Sequence, residues 1–311
     1  EFRRVLFRSI FYKNKGLVCL EKWLLFFTPT YNRASLLSRL YDTLILQTYK
    51  NFEWIIVDDG SKDNTKDVVS SFVKEGKINI HYVQQKNGGK HRAINTGVGL
   101  AKGELFFILD SDDILPNNAL ELVVETYQPI KHDISFAGVS GIDGYFDGCI
   151  IGSGLPDDSI DCNSVDIRYK FHVTGDMKEV FRTFVMKEFP FPDIEGEKFC
   201  PEALVWNRIA KKYKLRYFNK IIYKVEYQPE GLTSNIVKVR MKSPITSMMC
   251  YAEMLELNIP FKDKFKAAVN YWRFRLCYSG SKSYPSLPGL WNAVAPLGWL
   301  MHLKDKRVNK R

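Results

Sequence analysis

The chain has 311 residues, 45% of them apolar and 14% aromatic, which is ample for a packed core and excludes a disordered polypeptide. A formal net charge of +10 favours an anionic partner: a nucleotide phosphate, an acidic membrane surface or nucleic acid, among which charge alone does not choose. Six cysteines without CxxC spacing and five histidines without ligand spacing indicate neither a zinc site nor a disulfide scaffold, so reduced thiols in a cytoplasmic setting are expected.

Residues 1–22 open at Glu1 and establish no periodic pattern, so they read as a non-native or disordered leader. The apolar run from Leu17 to Phe27 is broken by Glu21 and Lys22 and is followed by no small-residue cleavage site, which argues against a secretory signal. From Trp23 the chain alternates strands and helices. Trp23–Phe27 is a predicted strand, Thr28-Pro-Thr-Tyr-Asn-Arg33 a turn, and Leu36, Leu37, Leu40, Tyr41 and Leu44 recur at helical spacing. A second strand, Phe52–Val57, ends at Asp58-Asp59-Gly60-Ser61, and Asn64 or Thr65 caps a helix carrying Val68, Val69, Phe72 and Val73. Ile78–Gln84 is the third strand, and Asn87-Gly-Gly-Lys-His-Arg92 turns into a helix that Gly103 ends. The fourth strand, Glu104–Leu109, delivers three carboxylates in Asp110-Ser-Asp-Asp113; a helix from Pro116 to about Tyr127 and a strand Ile134–Val139 follow. Successive strand–helix units imply right-handed crossovers and a mostly parallel sheet covered by helices on both faces. Residues 140–176 show no clear period and read as loops over the site.

Carboxylates this close raise one another's pKa, and a site that keeps them ionised usually supplies a cation such as Mg²⁺ or Mn²⁺. Neither a P-loop nor a Gly-x-Gly-x-x-Gly turn is present, so carboxylates must do the recognising. Asp58 suits a base N–H, Asp110 a ribose hydroxyl, and Asp112 a divalent cation bridging a diphosphate.

Four segments in this order resemble a family 2 glycosyltransferase with the GT-A fold: Thr28–Arg33, Gln47–Ser61, Asn87–Asn95 and Leu109–Pro116. The resemblance spans about Trp23 to Tyr227 and implies an inverting, nucleotide-sugar-dependent enzyme of bacterial surface polysaccharide synthesis, with a donor that is most simply UDP-linked and a saccharide or lipid-linked acceptor. It implies that Asp58, with Asp59 beside it, reads the base and that Thr28, Pro29 and Tyr31 line the nucleoside pocket. Lys90 or Arg92 would approach the diphosphate, and the DxD motif would fall on Asp110 and Asp112, with Asp112 and Asp113 as ligands of Mn²⁺ or Mg²⁺. The family's general base is usually the Asp of a Glu-Asp pair opening a helix that ends in Trp/Leu-x-Arg. Counting back from Arg208 in Phe199–Arg208 puts Glu202 at the Asp position and Pro201 at the Glu position, so the motif is altered, and Glu195 and Glu197 are rivals. Trp206 is an acceptor platform or a core residue.

A haloacid-dehalogenase-type phosphatase would carry its Asp-x-Asp near the first strand, and a sugar-phosphate nucleotidyltransferase would carry a Gly-rich loop where Thr28–Arg33 stands. A non-catalytic nucleotide-sugar-binding module stays open; nucleic acid is not an expected partner. Residues 228–311 read as a helical extension of the 23–227 domain, with helices over Ile245–Leu257 and Lys264–Tyr278 whose apolar stripes suit core packing. Leu287–Leu303 is uncharged and Trp-bearing, and a basic cluster from Lys304 to Arg311 follows it. Pro288 and Pro296 argue against a spanning helix; residues 287–311 fit either peripheral attachment to the inner face of the cell membrane or an ordinary docked tail helix.

Overall fold

In the computed structural model, which describes residues 23–226, 235–281 and 283–308, a single eight-stranded sheet runs in the order β3-β2-β1-β4-β7-β5-β8-β6. The strands are β1 (Leu24–Thr30), β2 (Phe52–Asp58), β3 (Ile80–Gln84), β4 (Leu105–Ile108), β5 (Phe136–Tyr145), β6 (Ser159–Cys162), β7 (Met177–Arg182) and β8 (Lys214–Val225). The first four pair in parallel; β7 joins β4 and β5 antiparallel, β5 and β8 are parallel, and β6 closes the far edge antiparallel to β8. The leader 1–22 and the junction at 227–234 lie outside the described residues.

Period-2 alternation sorts the side chains onto two faces. Leu25 and Phe27, with Ile55, Val57, Phe106 and Ile108, pack against Ala93, Ile94 and Val98 of α3 (Lys90–Leu100). Leu24 and Phe26, with Trp54, Ile56, Leu105 and Phe107, pack against α1 (Ala34–Ile45), α2 (Thr65–Glu75) and α4 (Ala119–Tyr127). Each such buried Leu or Phe stabilises the fold by about 1.5–3 kcal/mol relative to an exposed one. The sheet is thus mixed but mostly parallel and apolar on both faces, as the alternation predicts.

Two stretches depart from the sequence reading. Thr28-Pro-Thr is strand, not turn: β1 stays paired with β2 as far as Thr30 opposite Asp58. Pro29 is tolerated because its missing N–H faces the β4 side, where pairing has already ended at Phe27 opposite Ile108. Residues 140–176 are not loops throughout, since β5 continues to Tyr145 and β6 and the short α5 (Asp166–Tyr169) lie within them. Ser140, Gly141, Asp143 and Gly144 are poor strand formers, but they lie buried beside β7 and β8, and that tertiary setting overrides their propensity.

Beyond β7 come α6 (Thr183–Glu188) and α7 (Glu202–Ala210), and after β8 come α8 (Ile236–Lys242), α9 (Pro244–Met254), α10 (Phe261–Arg275), a 3-10 turn (Gly289–Val294) and α11 (Ala295–Val308). Met248 and Leu255 meet Ala268 and Val269 in a separate core, so both predicted stripes are packing surfaces. No described helix is long and apolar enough to cross a membrane.

Candidate active site

Asp59 organises the rim of the site. Its two carboxylate oxygens accept the backbone N–H groups of Gly88 (2.8 Å) and Gly89 (2.7 Å), together with the side-chain amides of Gln85 and Asn87. Gly89 has φ +99°, and a Cβ there would lie 1.9 Å from the carbonyl oxygen of Lys198, so glycine alone lets this turn meet the 193–201 loop. The turn ends by starting α3 at Lys90, whose ammonium reaches Asp110, just beyond the carboxyl end of β4.

That ammonium joins two acids from distant parts of the chain: Nζ is 2.6 Å from Asp110 Oδ1 and 2.9 Å from Glu202 Oε1. Burial by itself would lower the Lys90 pKa, but Asp110 and then Glu202 more than offset it and hold the ammonium well above its ordinary range. Burial likewise pushes Asp110 up, yet Lys90 and the more distant Lys178 bring its carboxyl down to about 2. Lys178, from β7, has Nζ 3.9 Å from Asp110 Oδ2 and 3.8 Å from the ring centroid of Tyr223, whose hydroxyl accepts the Asp110 N–H at 2.8 Å. Asp113 is buried, and burial with the Asp110 charge pushes its carboxyl up to about 7.

Asp112 is the more open of the two candidate metal ligands, with its side chain 24% exposed and Oδ2 3.0 Å from Arg33 Nη1. Among the described residues no group of three or more His, Cys, Asp and Glu side chains converges to hold a metal ion. Mg²⁺ or Mn²⁺ completed by substrate phosphates and water needs only one or two carboxylates, so the donor set fits such an ion. Gln47 braces the exit of this acidic turn: its amide donates to the Pro116 carbonyl and accepts the N–H of Leu120.

Several expected contacts are redirected. Asp58 is fully buried: its Oδ1 accepts the Ser61 N–H and its Oδ2 the Tyr82 hydroxyl and the Gln84 amide, which leaves Oδ1 one acceptor site for a further N–H. Thr28 is fully buried and accepts the Trp54 indole N–H at 2.8 Å, and Pro29 lies inside β1; of the three expected nucleoside contacts Tyr31 alone is exposed. Arg92 turns away from the carboxylates: its guanidinium donates to Asp193 and to the carbonyls of Gly88, Ile194 and Glu197, which fastens the 193–197 loop to α3. Glu197 is a helix cap, accepting the N–H groups of Ile245 (2.6 Å) and Thr246 (2.9 Å) at the start of α9. Glu195 is exposed. Trp206 packs on Phe181 and Phe191 as a core residue. Sequence reasoning missed Lys178 and Tyr223, which carry no motif and reach Asp110 through strand order alone.

Residues 26–175 match the family model described as Glycosyl transferase family 2. Over 278 residues, 83% of this chain and 84% of the relative, the sequence is 28% identical to the GalNAc(5)-diNAcBac-PP-undecaprenol beta-1,3-glucosyltransferase of Campylobacter jejuni. It is 27% identical over 206 residues to glycosyltransferase GlyG of Streptococcus pneumoniae, covering 63% of this chain and 67% of that one. Among solved structures, S. aureus TarS 1–349 with UDP-GlcNAc aligns at TM-score 0.59 and 16% identity over 92% of this chain and 89% of that one. Mannosyltransferase PcManGT of Pyrobaculum calidifontis with GDP-Man and Mn²⁺ aligns at TM-score 0.54 and 17% identity, covering 89% and 73%. At these identities the two structures speak to the fold.

Proposed function

From the premise that this chain is a glycosyltransferase of family 2 on a GT-A fold, we propose that it transfers a sugar, with inversion, from a UDP-linked donor to a saccharide or lipid-linked acceptor. The observation that carries this reading is the Lys90 bridge, which draws Glu202, ninety residues beyond Asp112, to within one ammonium of the strand-end acids. Transfer needs a hydroxyl proton removed on one side of the anomeric carbon and negative charge accommodated on the other. Glu202 takes the acceptor proton; the acceptor oxygen bonds to the anomeric carbon from the face opposite the diphosphate. The bond from that carbon to the diphosphate oxygen breaks, and its electron pair leaves with the nucleotide. Lys90 and Lys178 supply cationic charge to the donor side, where Asp110 meets the ribose and the exposed Tyr31 ring meets the base. Asp112, with Asp113 beside it, would hold Mn²⁺ or Mg²⁺, which when bound stabilises the departing diphosphate as a Lewis acid. The UDP preference rests on the TarS likeness, and the lipid-linked option on the printed acceptor of the Campylobacter relative.

The test is to incubate the protein with Mn²⁺, UDP-, GDP- and dTDP-sugars and saccharide or polyprenyl-linked acceptors, measure nucleoside diphosphate release, and read the product anomer by NMR. Release from UDP-sugars with inversion, abolished in Asp112→Ala, is expected. Release by the variant equal to that of the wild type, or no release from any donor, overturns the assignment.

A further inference from the structure

Helix α11 is turned inside out. Its buried residues are Gly298, His302 and Asp305, while Leu300, Trp299 and Val308 are 56%, 50% and 64% exposed. A helix oriented by hydrophobic burial would present the opposite face to its support. Polar anchors fix the orientation instead. Arg273 of α10 forks onto Asp305, Nε to Oδ2 at 2.5 Å and Nη2 to Oδ1 at 2.7 Å, and its carbonyl lies 3.2 Å from His302 Nδ1. Gly298 brings the two helices into contact, since a Cβ there would fall 2.4 Å from Cβ of Trp272. At about 100° per residue, Leu297, Leu300, Met301, Lys304 and Val308 form one outward stripe with Arg307 at its edge, and all six are exposed. In the preceding 3-10 turn, Leu290 is 93% exposed.

We propose that this face docks the enzyme on an anionic bilayer surface. Charge selects the occupant. Asp305 is the helix's one acid and is buried in its pair with Arg273, so the charges that α11 shows to solvent, Lys304, Lys306 and Arg307, are all positive. A two-fold contact with a second copy would set these cations against themselves, whereas acidic headgroups accept them as the apolar stripe enters the interface. At 14 residues the helix is too short to span a bilayer, so it lies along the surface.

The experiment is flotation of the full chain with vesicles of phosphatidylcholine alone or mixed with phosphatidylglycerol, at low and high salt, with light scattering in parallel. The wild type floats with the anionic vesicles and much less with neutral ones. Leu297→Asp combined with Leu300→Asp, and separately Lys304→Glu combined with Arg307→Glu, weaken binding on the order of ten-fold or more at unchanged Tm. No flotation with anionic vesicles, flotation of both variants equal to that of the wild type, or a wild-type dimer that the leucine variant dissociates overturns the proposal. Flotation involves no turnover, so its failure leaves the transferase assignment standing.

Discussion

Three acids near the site are set apart by their surroundings, and each predicts a different response to substitution. Glu202 opens α7 beside Lys90, whereas Glu197, five residues earlier, is buried and satisfies donors at the start of α9. Glu202→Gln is therefore expected to lower kcat on the order of 10²- to 10⁴-fold, the usual contribution of a general base, with donor affinity little changed. Glu197→Ala should instead cost about 1–3 kcal/mol of stability by orphaning buried N–H groups, seen as a lower Tm with kcat retained. The reverse pattern in the two variants would exchange their roles. The third acid, Asp143, is buried on β5 with one oxygen unpartnered, and burial pushes its carboxyl up from 3.8 to about 8. The folded protein then keeps this proton over a window in which the unfolded chain has lost it. That contribution to stability is fully present below about pH 4 and is lost as pH rises through about 8. Asp143→Asn removes the dependence, so its Tm advantage over wild type should grow by a few degrees across that window. A Tm difference that stays flat with pH would show Asp143 ionised throughout.

At the scale of elements, the junction between the Gly88-Gly89 turn and the 193–201 loop sets the distance between the strand-end acids and Glu202. Gly89→Ala forces a left-handed φ on an alanine and drives its Cβ into the Lys198 carbonyl. Left-handed strain alone is about 1–2 kcal/mol, and separating the loops moves Glu202 away from Lys90. A fall in both Tm and kcat/KM is expected; a variant with wild-type kcat/KM would uncouple the loop from the site. The same elements explain what was legible in sequence. The α/β alternation was readable because helical stripes such as Leu37, Leu40, Tyr41 and Leu44 are local patterns, and the acidic turn because it ends an apolar run. The end of β1 was not, because Pro29 reads as a breaker until β4 is known to stop pairing before it. The later half of β5 was not, because neighbouring strands rather than propensity make it a strand. Glu202 comes within reach by counting from Arg208, whereas the partners that hold the Arg92 and Asp58 side chains, Asp193 for the one and Tyr82 and Gln84 for the other, lie far off in the chain and carry no local signal.

The site as a whole is gathered from Arg33, Lys90, the Asp110–Asp113 turn, Lys178, Glu202 and Tyr223, so a ligand seated there touches parts of the chain separated by most of the domain. Such a ligand binds the folded chain and not the unfolded one, and it stabilises by mass action: about 2.7 kcal/mol at a concentration of 100 Kd. For a chain of this size that corresponds to a Tm rise of several degrees. Arg33 pairs with Asp112 and Lys90 with Asp110, the acids that would meet the cation and the ribose. Donor and Mn²⁺ added together should therefore stabilise more than the sum of either alone, because phosphate offers Arg33 and Lys90 a new partner as the metal takes Asp112. Differential scanning fluorimetry with UDP, with Mn²⁺ and with both measures this directly. Asp112→Ala is expected to keep the UDP increment and lose the extra gain from metal, and the Leu297→Asp/Leu300→Asp variant to keep both, since donor binding does not use α11. A synergy that survives in Asp112→Ala would place the cation on other ligands and reassign Asp112 to its pairing with Arg33.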